Sequence, residues 1–106
     1  MDGLVVCERC DVASNSFTRS RGLLGRTSMA SGDGILLRPA SSVHTAFMRF
    51  PIDVVFLDRE LSVLKIVPRL VPWRTAGRRK AHAVLELPAG ECERRGLREG
   101  DRLALG

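Results

Sequence analysis

The apolar run Val-Val-Phe-Leu at residues 54–57 constrains the fold of this chain more than any other stretch. An unbroken series of β-branched and bulky apolar side chains is typical of a strand that is covered on both faces of its sheet. The run therefore predicts a buried strand over residues 52–57. A polar turn at 58–60 and an imperfectly alternating segment at 61–67 predict its hairpin partner, which Pro68 is expected to end.

The other elements predicted from the sequence are short. A polar cap among residues 14–16 predicts a helix that runs to about residue 24. A second helix is predicted at 91–95, with Gly96 at its C-terminal end. Residues 40–43 and 75–80 are expected to be loops. Further strands are predicted at residues 4–7, 34–37, 81–87 and 102–105.

Together these elements predict an α+β fold. We expect a mainly antiparallel, strongly curled or barrel-like sheet of about six short strands, with two short helices. Long helices do not alternate with the strands, so a doubly wound nucleotide-binding fold is not expected. A chain of 106 residues is expected to form a single domain, residues 1–106.

The charge of the chain bears on its partners. Net charge is +5, and every cation except Lys65 and Lys80 is an arginine. Excess positive charge favours anionic partners. One tryptophan, four phenylalanines and no tyrosine leave little surface on which bases could stack, so nucleic acid is the less favoured partner. A solvated arginine-rich surface is the favoured interpretation of this charge. If the chain binds a ligand, the charge predicts an anionic small molecule or an acidic protein segment.

Several features bear on the compartment. No stretch approaches the ~18 apolar residues of a membrane-spanning helix. Residues 1–3 lack the basic-then-apolar layout of a signal peptide. We expect a cytoplasmic protein without a membrane span; additional N-terminal sequence in a longer natural form would lie outside this expectation. Three cysteines are an odd number, which agrees with a reducing compartment and argues against a disulfide framework.

Cys7 and Cys10 have the spacing of a zinc knuckle or a redox pair. A zinc site would need two more ligands, and no second pair of this kind exists in the sequence. The pair also follows a predicted strand, whereas a redox pair is expected at a helix N-terminus. Two unrelated thiols are the favoured interpretation, and no cofactor is predicted.

A polar cluster just before the buried strand is the candidate functional site. A charged residue at this place is usually at the end of a sheet, where it can reach a cleft, and loops carry function more often than other segments. Structural roles are the favoured interpretation for these residues taken singly: Asp53 could accept backbone N–H groups or pair with an arginine, and Trp73 could cover the end of the sheet. The predicted ligand-binding residues are Arg21, His44, Thr45, Met48, Arg49, Asp53 and Trp73.

A non-enzymatic binding or accessory module is the favoured function, because the sequence holds no nucleophile elbow, phosphate loop or carboxylate pair. Catalysis stays open as an alternative: a hydrolase or lyase could use His44 as acid–base and Asp53 to orient it, provided that the two side chains converge. A second alternative is nucleic-acid binding through the basic residues Arg74, Arg78, Arg79 and Lys80.

Six segments carry a resemblance to a known family. They are residues 21–26 (Arg-Gly-Leu-Leu-Gly-Arg), 34–37, 48–58 with Pro-Ile-Asp at 51–53, 85–90 (Leu-Glu-Leu-Pro-Ala-Gly) and the Gly-Leu and Gly-Asp steps near the end. The chain resembles the family known as domain of unknown function 192 over nearly its whole length. The resemblance implies a fold more than a task. Many members have an aromatic-Met-Lys-Asn-Thr segment where this chain has residues 44–48, so roles of those commoner residues are not carried over.

Overall fold

The computed structural model describes residues 4–5, 9–13, 33–45 and 48–104. These residues form nine strands and one short helix. The strands are β1 (Leu4–Val5), β2 (Arg9–Ala13), β3 (Asp33–Leu37), β4 (Ser42–His44), β5 (Ile52–Leu57), β6 (Val63–Leu70), β7 (Thr75–Gly77), β8 (Ala83–Pro88) and β9 (Leu103–Ala104); the helix is α1 (Glu91–Arg94).

A five-stranded sheet with the order β2-β3-β8-β5-β6 forms the centre of the described structure. Its β2–β3 pair is parallel and its other pairs are antiparallel. β5 lies between β8 and β6, and all six of its residues are buried, as the apolar run predicts. The predicted hairpin is also present, since Val55 lies opposite Ile66 and Phe56 lies opposite Lys65.

Two further pairs of strands complete the described fold. β1 and β9 form a parallel pair, and β4 and β7 form an antiparallel pair that we call the ribbon. The ribbon joins segments that the sequence predicted to be loops. Its strands have only three residues each, with small or polar side chains around the inward-facing Val43 and Ala76, so no apolar periodicity marks them.

The prediction of a mainly antiparallel sheet is confirmed, but a strongly curled or barrel-like sheet is not supported. Within the described residues the five-stranded sheet is open, with β2 and β6 at its two ends. Just before β6, Ser62 forms an antiparallel bridge with Arg102 of the C-terminal segment. One helix lies in the described part of the chain; the other predicted helix falls outside it.

The central sheet has an apolar layer on each face. Alternate residues of a strand point to opposite faces, which explains how an unbroken apolar run is fully used. One layer lies under α1 and the other lies under the ribbon. The helix-side cluster consists of Leu36, Val55, Leu57, Val63, Ala83, Leu85, Leu87, Cys92, Leu97 and Leu103. The ribbon-side cluster consists of Ile35, Leu37, Val43, Met48, Phe50, Ile52, Val54, Phe56 and Val84.

The second half of β6 departs from the prediction at Pro68. The strand continues past this proline to Leu70, because the register with β5 shifts there: Val67 lies opposite Val54, and Leu70 lies opposite Ile52. Two residues of β6 therefore lie opposite the single residue Asp53, which is a β-bulge. A proline is tolerated because β6 is an edge strand in this region.

The helix α1 ends just before Gly96, as the sequence predicts. Gly96 has a φ of 67°, and its N–H donates to the carbonyl of Glu93. The N–H of Leu97 donates to the carbonyl of Cys92, and the Leu97 side chain is buried. These bonds form a Schellman motif, in which a left-handed glycine ends the helix and a following apolar residue packs back.

None of the helices in the described residues is long and apolar enough to cross a membrane.

Candidate functional site

Asp53 is fully buried in β5 and binds three backbone N–H groups. Its Oδ1 atom accepts hydrogen bonds from the N–H of Arg69 at 2.9 Å and the N–H of Gly90 at 3.1 Å. Its Oδ2 atom accepts one from the N–H of Cys92 at 2.9 Å. One carboxylate therefore joins the bulge of β6 to the beginning of α1.

The local backbone explains why a carboxylate is needed at this position. Arg69 and Gly90 have positive φ values of 51° and 89°. The first N–H groups of α1 have no partner within the helix, and a negative charge near them is favourable. Asp53 supplies the acceptor from a distant strand. Its bonds go to backbone N–H groups, one of the structural roles left open by the sequence, and they do not involve Arg49.

The structure separates His44 from Asp53. His44 lies in β4 opposite Thr75, and its side chain is exposed on the outer side of the ribbon. The ribbon packs on one face of the sheet, whereas the Asp53 carboxylate points to the other face, toward Cys92. This placement argues against the acid–base pair of His44 and Asp53, because the Asp53 carboxylate lies on the helix side of the sheet and His44 lies on the ribbon.

Thr45 is fully buried and anchors the segment that follows β6. Its hydroxyl oxygen lies 2.7 Å from the carbonyl of Val71 and 3.2 Å from the carbonyl of Arg74, and it accepts the Arg74 N–H at 2.8 Å. Its own carbonyl accepts the N–H of Trp73 at 3.0 Å. These bonds satisfy backbone groups of Val71, Trp73 and Arg74 and tie the segment to Thr45.

The residues predicted to bind a ligand thus divide into two groups. Thr45, Met48 and Asp53 are buried and hold the structure together. His44, Arg49 and Trp73 are exposed to solvent. Arg21 lies outside the described residues. Asp53 is therefore not available to a ligand, and the exposed residues of the predicted site remain for binding.

Trp73 and Val71 are the exposed large hydrophobic residues of the described structure. Trp73 has 60% of its surface exposed and Val71 has 45%. Both lie on the segment that Thr45 holds, so the structure presents their side chains to solvent. Trp73 also has a φ of 66°, a conformation that costs free energy for a residue other than glycine. This exposure does not favour the interpretation of Trp73 as a cover over the end of the sheet.

Basic residues lie close to these two residues in the sequence. The sequence has no acidic residue from Gly34 to Ile52 or from Leu61 to Leu85. Acidic residues cluster elsewhere, in the turn after β5 and from Glu91 onward. We call the following exposed residues the basic Trp73 surface: Val71, Trp73, Arg74, Arg78, Arg79 and Lys80. Arg38, Arg49 and Arg69 are also exposed cations in the acid-free segments.

Glu86 is a buried carboxyl on the ribbon side of the sheet. It lies in β8 between Ile35 of β3 and Val54 of β5, and only 6% of its surface is exposed. Burial raises the pKa of Glu86 from 4.5 to about 7, because the charged form loses hydration among apolar neighbours. The sequence indicates that Glu86 shares a strand face with Val84, but it does not predict that the carboxyl is buried.

We expect Glu86→Gln to remove a pH dependence of stability. Between pH 4.5 and about 7 the unfolded chain releases the Glu86 proton while the folded chain keeps it, so stability falls as pH rises. The free energy of unfolding of the wild type should fall by about 3 kcal/mol relative to the variant across this range. Urea unfolding at several pH values measures the difference, with Glu99→Gln as an exposed control. Parallel pH curves for wild type and Glu86→Gln would contradict the prediction.

Other titratable groups argue against nucleophilic chemistry at α1. Burial alone would raise the pKa of Glu91, but hydrogen bonds and charges from Arg94 and Arg95 outweigh it and lower the pKa to about 2. Burial, followed by the negative charge of Asp53, raises the pKa of the Cys92 thiol to about 12. A thiol of this kind stays protonated at neutral pH and is a poor nucleophile.

The structure adds little to the weak prediction of a metal site. Cys10 lies in β2, and Cys7 falls outside the described residues. Across the described ranges no group of three or more His, Cys, Asp or Glu residues is placed to hold a metal ion. The basic Trp73 surface, formed by side chains that suit recognition, is therefore the strongest candidate site in this part of the chain.

Comparison with known proteins shows the family. The model of domain of unknown function 192 (DUF192), described as an uncharacterized ACR, matches residues 2–105. The chain belongs to the DUF192 family. A relative is the UPF0127 protein of Pyrococcus furiosus, which is 41% identical over 64 residues, 59% of this chain. The match spans about half of that relative, 54% of its length.

Two crystal structures share the fold of this DUF192 chain. A protein of unknown function from Novosphingobium aromaticivorans has a TM-score of 0.79 and 24% identity, with 88% of this chain and 71% of that chain covered. A proposed transcription regulator from Sinorhizobium meliloti has a TM-score of 0.80 and 27% identity, with 88% and 78% covered. At 24% identity, the likeness to the Novosphingobium aromaticivorans protein shows only that the two proteins share a fold.

Proposed function

We propose that this DUF192 protein is a non-enzymatic interaction module that binds an acidic segment of a protein partner through the basic Trp73 surface. The observation that carries the proposal is a tryptophan held out into solvent among arginines by a buried threonine. Tryptophan and arginine are the residues that most often dominate the free energy of protein interfaces. The odd cysteine count supports a reducing, cytoplasmic site of action as part of the proposal.

Rigidity of the surface supports recognition. An exposed apolar side chain on a mobile loop loses conformational freedom when it binds, and that loss weakens the complex. Trp73 avoids most of this cost because Thr45 already fixes its backbone by the bonds to residues 71–74. The positive φ at Trp73 supports the same view, because strain of this kind persists where the surrounding structure enforces it and often marks a functional position.

Charge selects the class of partner. Arg74, Arg78, Arg79 and Lys80 are exposed and lie in a stretch without acidic residues. An acidic segment with one apolar side chain would match both the cations and the apolar centre formed by Val71 and Trp73. A free anionic small molecule would use the cations and leave the apolar centre exposed.

Nucleic acid is the second candidate, for two reasons. The run Arg78-Arg79-Lys80 suits phosphate groups, and a structural neighbour is a proposed transcription regulator. The described surface, however, exposes a single large aromatic ring, whereas sequence-tolerant binding of single strands uses successive stacked bases. An acidic protein segment is therefore preferred.

Binding of a labelled synthetic peptide, in which glutamate alternates with valine, tests the proposal by fluorescence anisotropy. We expect Trp73→Ala and the double variant Arg78→Glu/Arg79→Glu each to weaken binding by about tenfold or more, as loss of interface anchors does. Short single-stranded and duplex DNA serve as competing probes, each measured at two salt concentrations because phosphate contacts give steep salt dependence.

Arg59→Glu is the matched control for the charge change. Arg59 is exposed in the turn between β5 and β6, at the opposite end of that hairpin from Val71. The control should bind the peptide as the wild type does. An equal loss in Arg59→Glu would mean non-specific charge attraction, and binding of DNA with none of the peptide would replace the proposal by nucleic-acid recognition.

A further inference from the structure

The ribbon leaves one hydrogen-bonding edge of β7 open. Outside the two strands, Thr45 N–H donates to the Arg74 carbonyl, and Arg78 N–H donates to the Ser41 carbonyl. Directly opposed residues of an antiparallel pair alternate between hydrogen-bonded and non-hydrogen-bonded positions. With these bonds on either side, the central pair Val43 and Ala76 is a hydrogen-bonded pair. The backbone N–H and carbonyl groups of these two residues therefore point toward each other, between the two strands.

The backbone N–H and carbonyl groups of Thr75 and Gly77 consequently point away from β4. Both residues are exposed, and within the described residues neither backbone group has a hydrogen-bond partner. Exposed sheet edges are usually protected by proline, lysine or a bulge. The sequence Thr-Ala-Gly of β7 contains none of these, and its small side chains leave space beside the strand.

We propose that β7 accepts the acidic partner segment as an added β-strand. The inference rests on the proposed function and specifies how the partner is held. The groups of Thr75 and Gly77 would bond the backbone of an extended segment, as in β-strand addition to exposed sheet edges. Trp73 lies just before β7, and Arg78, Arg79 and Lys80 lie just after it.

The position of the side chains favours β7 over β4 as the docking edge. β7 is continuous with the exposed Trp73 and Arg74 at its start and with three exposed cations at its end. β4 is followed directly by the buried Thr45, so it offers no comparable side chains there. A segment on β7 would therefore gain backbone bonds together with an apolar contact and charge pairing.

Two backbone-methylated isomers of the glutamate–valine peptide test strand addition. One isomer carries N-methyl groups on the glutamates and the other on the valines, so composition and charge are equal. In an added strand only alternate N–H groups face β7, so one isomer should bind about tenfold more weakly than the other. Equal affinities of the two isomers would overturn strand addition. No binding of the unmethylated peptide would instead overturn the proposed function itself.

Amide hydrogen exchange of the wild-type complex provides a residue-level readout with the unmethylated peptide. The Thr75 and Gly77 amides should exchange at least about tenfold more slowly when the peptide is bound, because local opening must then break new bonds. The Ala76 amide, which already points to β4, should change less. Unchanged exchange at Thr75 and Gly77 in a bound complex, or slowing at Ser42 and His44 in their place, would overturn docking at β7.

Discussion

Replacement of Asp53 by alanine is expected to lower the free energy of unfolding by about 3–6 kcal/mol, a large part of the stability of a domain of this size. The change leaves the N–H groups of Arg69, Gly90 and Cys92 without their acceptor. Each buried N–H without a partner costs about 1–3 kcal/mol. Urea unfolding at neutral pH measures the loss.

Two further variants separate the causes of this loss. Asp53→Asn keeps the shape but turns one acceptor atom into a donor, so at least one of the three N–H groups faces another donor, and about half of the loss should remain. Asp58→Ala is the control, because Asp58 also accepts two backbone N–H groups but does so in a turn near solvent. Equal stability losses for Asp53→Ala and Asp58→Ala would contradict the special role of the buried carboxylate.

Replacement of Thr45 by valine is expected to cost about 2–4 kcal/mol and to loosen the Trp73 segment. Valine has nearly the same shape as threonine, so the loss of stability measures the contribution of the hydroxyl group. The Val71 carbonyl loses a donor and the Arg74 N–H loses its acceptor. Because Trp73 is the only tryptophan of the chain, its fluorescence anisotropy should fall in the variant before the protein unfolds as a whole.

Thr45→Ser is the matched control for this change. Serine keeps the hydroxyl and loses one methyl group, so the Trp73 signal should stay near that of the wild type while stability falls by about 1 kcal/mol. Peptide affinity should follow the same order, with Thr45→Val weakened and Thr45→Ser close to wild type. If Thr45→Val retains both the anisotropy and the affinity, the threonine does not organise the surface.

Local sequence predicted the elements whose evidence is contained in a few neighbouring residues. The apolar run of β5 requires cover on both faces, and the structure provides it. The polar turn after β5 predicts the hairpin, and Gly96 predicts the end of α1. These predictions hold because turn and cap preferences act over a few residues of chain.

Non-local pairing accounts for what the sequence missed. The ribbon exists because β4 and β7 meet across about thirty residues of chain, which no short window of sequence shows. β6 passes Pro68 because Asp53 accepts the Arg69 N–H in a bulge. The bridge between Ser62 and Arg102 is likewise a pairing between residues far apart in the chain.

The sequence by itself determined that this chain has a strand covered on both faces, an excess of positive charge and a single tryptophan, because composition and side-chain period are local properties. Only the tertiary structure decided which polar residues are exposed and can contact a ligand. Asp53 and Thr45 lie within the predicted site, yet their partners are 16 to 39 residues away, and those bonds bury them. Exposure of Trp73 follows from the same bonds, since Thr45 holds its segment at the surface.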